Sequence, residues 1–307
     1  MLRYALLRIF GAIPTLLLVI ALAFLMVHAA PGGPFDADRV LSPEIEENIA
    51  RAYNLDEPLP QQFVRYLKGL ARGDLGPSYR YRDYDVSELI GNALPVTVQL
   101  GVLAMSLAII AGIAAGLTAA LSKNSYVDRL VTGIAMTGIS VPVFVVAPLM
   151  VLVFAVYLQW LPASWTGGGE ISRLILPVVA LALPQIAYIA RLTRASMIGV
   201  LSSDYVRTAR AQGLKTSSII RYHALKPAML PLLSYMGPAI AGILTGSVVV
   251  EEVFGIPGVG QFFIRGALNR DYTLVLGIVI FYATLVISLN LVVDVLYGVL
   301  DPRVRHQ

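Results

Sequence analysis

The chain contains no cysteine. Disulfides, thiolate metal sites and cysteine nucleophiles are therefore excluded, while the compartment is left open. Charge is sparse: Asp, Glu, Lys and Arg make up 14% of 307 residues. No lysine follows a glycine, because Lys68, Lys123, Lys215 and Lys226 follow Leu67, Ser122, Leu214 and Leu225. A P-loop requires Gly-Lys-Ser/Thr, so the chain is expected to bind no nucleotide, to hold no cofactor or metal of its own, and to be no enzyme. Ionisable residues are nearly missing from the long apolar runs, where only His28, near one end, and Asp294 occur. An intramembrane acid is a functional candidate, but Asp294 lies close to Asp301 and Arg303, which favours a structural partner over a proton relay. Ion-coupled transport expects buried coupling groups and often inverted repeats, and the sequence displays neither.

What is abundant is apolar residue. The hydrophobic share is 57% and the mean hydropathy is +0.74, against roughly 45–50% apolar in soluble domains. Several runs reach the length of about 20 residues that a membrane helix needs. Six spans are expected, at Ile9–Ala29, Val96–Leu121, Leu130–Leu158, Leu174–Ala190, Met229–Val250 and Leu274–Leu300. They should be helices, since a backbone in lipid must satisfy its own hydrogen bonds. The fold class is all-α, polytopic. Arg3 and Arg8 ahead of the first run give it the look of a signal peptide. Its length and the spans that follow favour a retained helix.

Cationic residues set the orientation. One set of segments carries Arg3, Arg8, Lys123, Arg129, Arg191, Arg194, Arg207, Arg210, Lys215, Arg221, Lys226, Arg303 and Arg305; the short segments opposite carry only Arg173, Arg265 and Arg270. By the positive-inside rule the first face is cytoplasmic, with both termini inside. The organisation that follows is a first span (1–30), an extracytoplasmic helical region (31–93) and a core of five spans (94–307). In the middle region Ser42–Tyr53 and Pro60–Arg72 should be helices, ended by Gly73-Asp74-Leu75-Gly76-Pro77. Together they form a packed cap, a docking surface, or both.

Prolines pair up in three consecutive spans: Pro142 and Pro148, Pro177 and Pro184, Pro231 and Pro238. Each removes a backbone donor and can kink its helix, which suggests a bundle that bends. Gly112-x-x-x-Gly116 and Gly242-x-x-x-Gly246 let helices approach closely, more as ordinary packing than as a dimer seam.

The most informative stretch is Asp204–Pro231, DYVRTARAQGLKTSSIIRYHALKPAMLP. It is long, basic and helix-forming, and it lies in the loop 191–228 between two spans. Ser203 or Asp204 can cap a helix, Tyr205–Gln212 should form it, and Gly213 suits the left-handed residue that ends it. Thr216–Tyr222 should be a second helix. Arg207 and Arg210 share a face. The loop either lies on anionic lipid or is gripped by a soluble partner.

The order of cap, helix, glycine, helix and proline resembles the cytoplasmic motif of ABC-importer permeases. There, Glu-Ala-Ala, three residues and Gly form a short helix that enters a cleft on an ATPase subunit. Here the triplet reads Arg207-Thr208-Ala209, followed by Gly213 and, later, Pro227. Arginine in place of glutamate is typical of the peptide and nickel branch. Other segments are similar to that branch: AIPTLLLVIALAFLMVHAAPGGPF, Asn54–Leu59 with Gln61-Gln62-Phe63, Gly73–Gly76, Val250–Gly260, Asn269–Tyr272 and Asp301–Arg305. Gly76-Pro77-Ser78-Tyr79 and Leu225–Pro238 look most like the first of two membrane subunits of an oligopeptide importer. The resemblance spans essentially the whole chain.

It implies a type I ABC-importer permease in a bacterial inner membrane. The implied partners are a second, homologous permease subunit, two cytoplasmic ATPase subunits that bind ATP and Mg, and an extracytoplasmic peptide-binding protein, with membrane lipid around them and no nucleic acid. It assigns ATPase docking to Asp204, Tyr205, Arg207, Thr208, Ala209, Arg210, Gly213 and Arg221. The Glu251–Asp271 connection is unusually polar and glycine-rich. It is read either as an outer gate, carried by Glu251, Glu252, Pro257, Gly258, Gly260, Arg270 and Asp271, or as an ordinary external turn. Rival readings are an ion-coupled transporter of a small solute and a permease for dipeptides or nickel complexes. An intramembrane enzyme lacks support, since Ser140 and Ser247 have no evident base.

Overall fold

A computed structural model describes residues 2–29, 56–81, 83–166 and 170–300. The expected helix at Ser42–Tyr53 lies outside them, and so does the side chain of Asp294. The elements are α1 (Leu2–Ala29), α2 (Leu59–Leu70), α3 (Val86–Leu121), α4 (Tyr126–Ser140), α5 (Val143–Met150), α6 (Ser172–Leu201), α7 (Asp204–Ala211), α8 (Leu225–Phe254), α9 (Val259–Leu268) and α10 (Tyr272–Leu300). No strand occurs among the described residues, and one isolated bridge joins Pro77 to Asp85. The protein is all-α, as its composition requires.

Among the described residues five helices are long and apolar enough to cross a membrane, and α4 with the stretch Val143–Tyr157, a pair bent by 104°, makes a sixth if the two are one span. The break falls at Pro142. A residue before proline is driven out of the helical region, and Val141 is extended at φ −93, ψ 119. Pro148 sits inside α5, which then widens into a π-helical stretch, Val151–Tyr157. The other two proline pairs lie inside unbroken helices: Pro177 and Pro184 in α6, Pro231 and Pro238 in α8. One of the three proline-bearing spans is thus broken, and the other two run on as continuous helices.

Span boundaries differ from the hydropathy reading at polar ends. Helix α3 begins at Val86, ten positions before the apolar run, with Glu88 in its first turn, where the helix dipole favours an acid. Helix α6 runs on through Arg191 and Arg194 to Leu201. Such turns are helical but do not read as lipid-soluble.

The chain divides into two compact units. The first comprises Val98–Ile256 and Leu289–Gln307; the second comprises Leu2–Thr97 and Pro257–Ser288. In the first unit α6 is the central helix, with half of its span window buried, against 11% for α1. Its neighbours approach through glycines. A Cβ at Gly112 would lie 2.7 Å from Ile189, and one at Gly116 would strike the Ala190 carbonyl. A Cβ at Gly242 would lie 2.8 Å from Gln185 Nε2. Both small-residue pairs are therefore seams within this chain.

In the second unit Val86, Leu89, Ile90, Ala93, Val259, Leu274 and Ile278 form one buried cluster that joins α3, α9 and α10. Helix α9 starts at Gly258, which has no side chain to cap it. Thr97 Oγ1 takes over that role by accepting from Val259 N at 2.9 Å.

Candidate functional site

The helix and glycine turn expected at Tyr205–Gly213 form in the first unit as an elbow. Helix α7 spans Asp204–Ala211, and Gly213 follows at φ 80. Space around Gly213 is open, with nothing within 4 Å of a built Cβ. The backbone, not crowding, therefore demands glycine here. Beyond it a helical turn, Thr216–Ser218, passes into a π-helical stretch, Ile219–Ala224, and then directly into α8. The second arm is thus continuous with the following span rather than a separate helix. The side-chain cap expected of Ser203 or Asp204 is absent. Ser203 sits at the cap position, but its Oγ donates to Val200 O at 2.6 Å, and Asp204 instead pairs with Arg207 at 3.4 Å.

The elbow has two faces. Val206, Ala209 and Ile219 are buried together against Val200 and Leu201, which fastens α7 to the end of α6. A second cluster, Ala120, Met197, Ala224 and Ala228, binds the π-helical arm to α3 and α6. Asp204, Tyr205, Arg207, Thr208, Arg210, Gly213 and Arg221 are all exposed. Of the eight residues assigned to docking, only Ala209 faces inward, as part of the anchor.

One ion pair braces this region. Asp128, nearly buried at 3% exposure, accepts from Arg194 Nε at 2.5 Å and Nη2 at 2.7 Å. The fork is bidentate, the strongest form of such a pair. The carboxylate also accepts from Asn124 N at 2.9 Å, while Ser125 Oγ accepts from Asp128 N at 3.3 Å. This caps the start of α4 with Ser125, while Asp128 reaches back past the cap to the Asn124 N–H. Arg194 lies on α6 about two turns before that helix ends, so the helix that carries the elbow is tied to the start of α4. Sequence reasoning used Arg194 only for orientation and passed over Asp128, because nothing in the spacing pairs positions 66 apart.

The residues assigned to an outer gate divide between the units. Glu251, buried, and Glu252, exposed, end α8 in the first unit. Gly255 closes that helix in the left-handed conformation at φ 65. Pro257, Gly258, Gly260, Arg270 and Asp271 belong to the second unit. There the Gly258 and Gly260 backbone is buried, Pro257 is exposed and Arg270 has a positive φ of 56.

Asp271 is fully buried and has a defined role. Its carboxylate accepts from Leu274 N at 3.1 Å, capping α10. It also accepts from Ser78 Oγ at 2.5 Å, Tyr79 N at 3.2 Å and Arg80 N at 3.2 Å. Ser78 Oγ in turn accepts from Tyr81 N at 2.9 Å, and Thr273 Oγ1 donates to Pro77 O at 2.6 Å. One carboxylate thus holds the 76–81 loop on the first turn of the last helix.

Beside this clamp lies a cleft of about 280 Å³, lined by His28, Arg65, Tyr66, Asp74, Tyr79 and Tyr272 among others. Burial, with Tyr79 adding to it, pushes the Tyr66 hydroxyl above the usual tyrosine range. Arg65 pairs with Glu57. Among the described residues no group of His, Cys, Asp and Glu could hold a metal ion.

The family described as "Binding-protein-dependent transport system inner membrane component" matches residues 108–306, and its N-terminal counterpart matches residues 1–101. The chain is 52% identical to the oligopeptide transport system permease protein OppB of Escherichia coli (strain K12), over the full length of both. It is 47% identical, again over full lengths, to the protein of that name from Haemophilus influenzae. Identity to the dipeptide transport system permease protein DppB of Bacillus subtilis (strain 168) is 39%, over 99% of this chain and 98% of that one. A crystal structure of an amino acid ABC transporter with histidines matches the fold over 70% of this chain and 94% of its own, with TM-score 0.50 and 21% identity.

Removing the Asp271 carboxylate takes an acceptor away from Leu274 N, Ser78 Oγ, Tyr79 N and Arg80 N. Asp271→Ala should destabilise the protein by about 2–4 kcal/mol, seen as a lower melting temperature in detergent. Asp271→Asn should be intermediate, since its amide presents a donor where donors converge; a wild-type melting curve for Asp271→Ala would contradict the clamp. Taken together, the profile matches and the full-length identities establish that this chain belongs to the binding-protein-dependent transport system inner-membrane component family.

Proposed function

We propose that the chain is a membrane-spanning subunit of an ATP-driven, binding-protein-dependent importer of oligopeptides, and that it forms half of the translocation path. The observation that carries this reading is the two-faced elbow at Asp204–Gly213, with an anchored apolar side and an exposed polar side. Full-length identity of 52% to oligopeptide permeases supports the cargo. Dipeptides are the second reading, supported by the lower, 39% identity to a dipeptide permease.

The partners follow. Two ATPase subunits bind ATP and Mg, since this chain has no Gly-Lys pair. A second permease subunit completes the path, and an extracytoplasmic binding protein delivers peptide. The predominance of Lys and Arg on one set of loops supports an orientation with both termini in the cytoplasm, in a bacterial inner membrane.

In this reading each elbow sits in a cleft of one ATPase subunit, contacted by Asp204, Tyr205, Arg207, Thr208, Arg210 and Arg221. Closure of the ATPase pair on nucleotide draws the elbows together. The force passes through the Val206–Ala209–Ile219 anchor into α6, and through the Arg194–Asp128 pair into the broken span. Taking a two-state path from 1:99 to 99:1 needs about 5.5 kcal/mol of differential binding, which has to come from the motor subunits. The Glu251–Asp271 connection acts as the outer gate, with Asp271 fixing its last turn.

Two substitutions test the reading. Gly213→Val forces a β-branched residue into a left-handed backbone position. It should cut peptide uptake and transport-coupled ATP hydrolysis at least several-fold while membrane insertion persists; unchanged uptake contradicts docking. For the gate, Glu252→Ala removes an exposed acid whose side chain makes no hydrogen bond or ion pair with the fold among the described residues. Uptake by the complete assembly should fall with the melting temperature unchanged, and wild-type uptake would make this connection an ordinary turn.

A further inference from the structure

An uncommitted polar group lies in the first unit, on helices long and apolar enough to cross the membrane. The rings of Tyr188 on α6 and Tyr235 on α8 stack with centroids 4.8 Å apart and planes 11° from parallel. The guanidinium of Arg191 sits 4.7 Å from the Tyr188 centroid. The Tyr235 hydroxyl donates to Gln185 Oε1 at 2.8 Å. Gln185 reaches that position because Gly242 opposite has no side chain.

The group is not buried by its own chain. Tyr188 is 38% exposed, and Arg191 is exposed as well. No acidic side chain pairs with Arg191 among the described residues. Gln185 lies 13 positions into α6 from Ser172, roughly 20 Å at the helical rise, and Arg191 lies 19 positions in, roughly 28 Å, so the tyrosine stack lies within the span while the guanidinium reaches its elbow-side boundary.

Interfacial tyrosines turn their hydroxyls to the headgroups. The Tyr235 hydroxyl instead turns to Gln185, which is farther from the elbow end of α6 than Tyr188 or Arg191. The group is therefore directed away from the near headgroups. A flat aromatic face beside a planar cation that has no acidic partner among the described residues suits a planar amide chain that ends in a carboxylate. Arg presents a fork of donors that matches a carboxylate bidentately.

We propose that Gln185, Tyr188, Arg191 and Tyr235 form a cargo-contact station at the elbow-side end of the span, in which Arg191 takes the terminal carboxylate of a passing peptide and the tyrosine stack supports its planar amides. The inference rests on the peptide-importer reading. It adds a recognition point on the permease itself, separate from selection by the binding protein.

The test uses the complete assembly in proteoliposomes and two labelled peptides of one sequence, one with a free C-terminal carboxylate and one amidated, chosen so that the wild type carries both. Each variant's uptake is divided by the wild-type uptake of the same peptide, which cancels delivery by the binding protein. Arg191→Gln should reduce the free-carboxylate peptide roughly tenfold more than the amidated one, the scale of one charge-assisted hydrogen bond. Arg191→Lys should restore part of the difference. Equal losses for both peptides, with the subunits still co-purifying, would make the patch a seam against the second permease subunit and overturn the proposal. Unchanged uptake of both would overturn it too. If the wild-type assembly carries no peptide of any kind, the importer reading itself fails, an outcome distinct from either of these.

Discussion

The first unit depends on how tightly helix α6 is held. Gly112 and Gly116 bring α3 against its backbone, and Gly242 does so for α8. Side chains at these positions would force the helices apart, because overpacking a seam at backbone distance displaces whole elements. The Asp128–Arg194 fork adds a polar tie on a third side. A helix held this way moves with its neighbours. Two internal prolines, which would otherwise weaken it, remain within a continuous helix.

Under the proposed docking role, that constraint lets the exposed elbow act as a lever. Helix α7 has only eight residues, too few to be stable alone in water. Its order comes from Val206, Ala209 and Ile219, which pack it onto the end of α6. Displacement of its outer face is thus delivered to a helix that cannot yield locally. The second unit applies the same economy of contacts: a single buried carboxylate, Asp271, fixes both the start of α10 and the 76–81 loop.

Much of this was legible in the sequence, for identifiable reasons. Apolar runs fix membrane helices, since lipid admits few alternatives. Gly213 and the helix before it could be placed because the left-handed residue after a helix has a strong preference for glycine. The break at Pro142 follows from sterics at Val141. What stayed hidden depends on long-range pairing. Ser78 meets Asp271 across 193 positions, and Asp128 meets Arg194 across 66. No local periodicity encodes either. The stack of Tyr188 on Tyr235 was invisible for the same reason, and the polar first turns of α3 were lost because hydropathy reports lipid solubility rather than helicity. Asp271 was singled out from its setting in a polar connection, and the structure adds a buried cap and clamp at that position.

The central claim is that this chain supplies a path and a lever but no energy. It is tested most directly by reconstituting the purified protein alone in sealed vesicles and measuring peptide accumulation against a gradient, with and without ATP. The account predicts no concentrative uptake under either condition, and ATP-dependent uptake once the second permease, the ATPase subunits and the binding protein are added. Uphill accumulation by the isolated chain would contradict it.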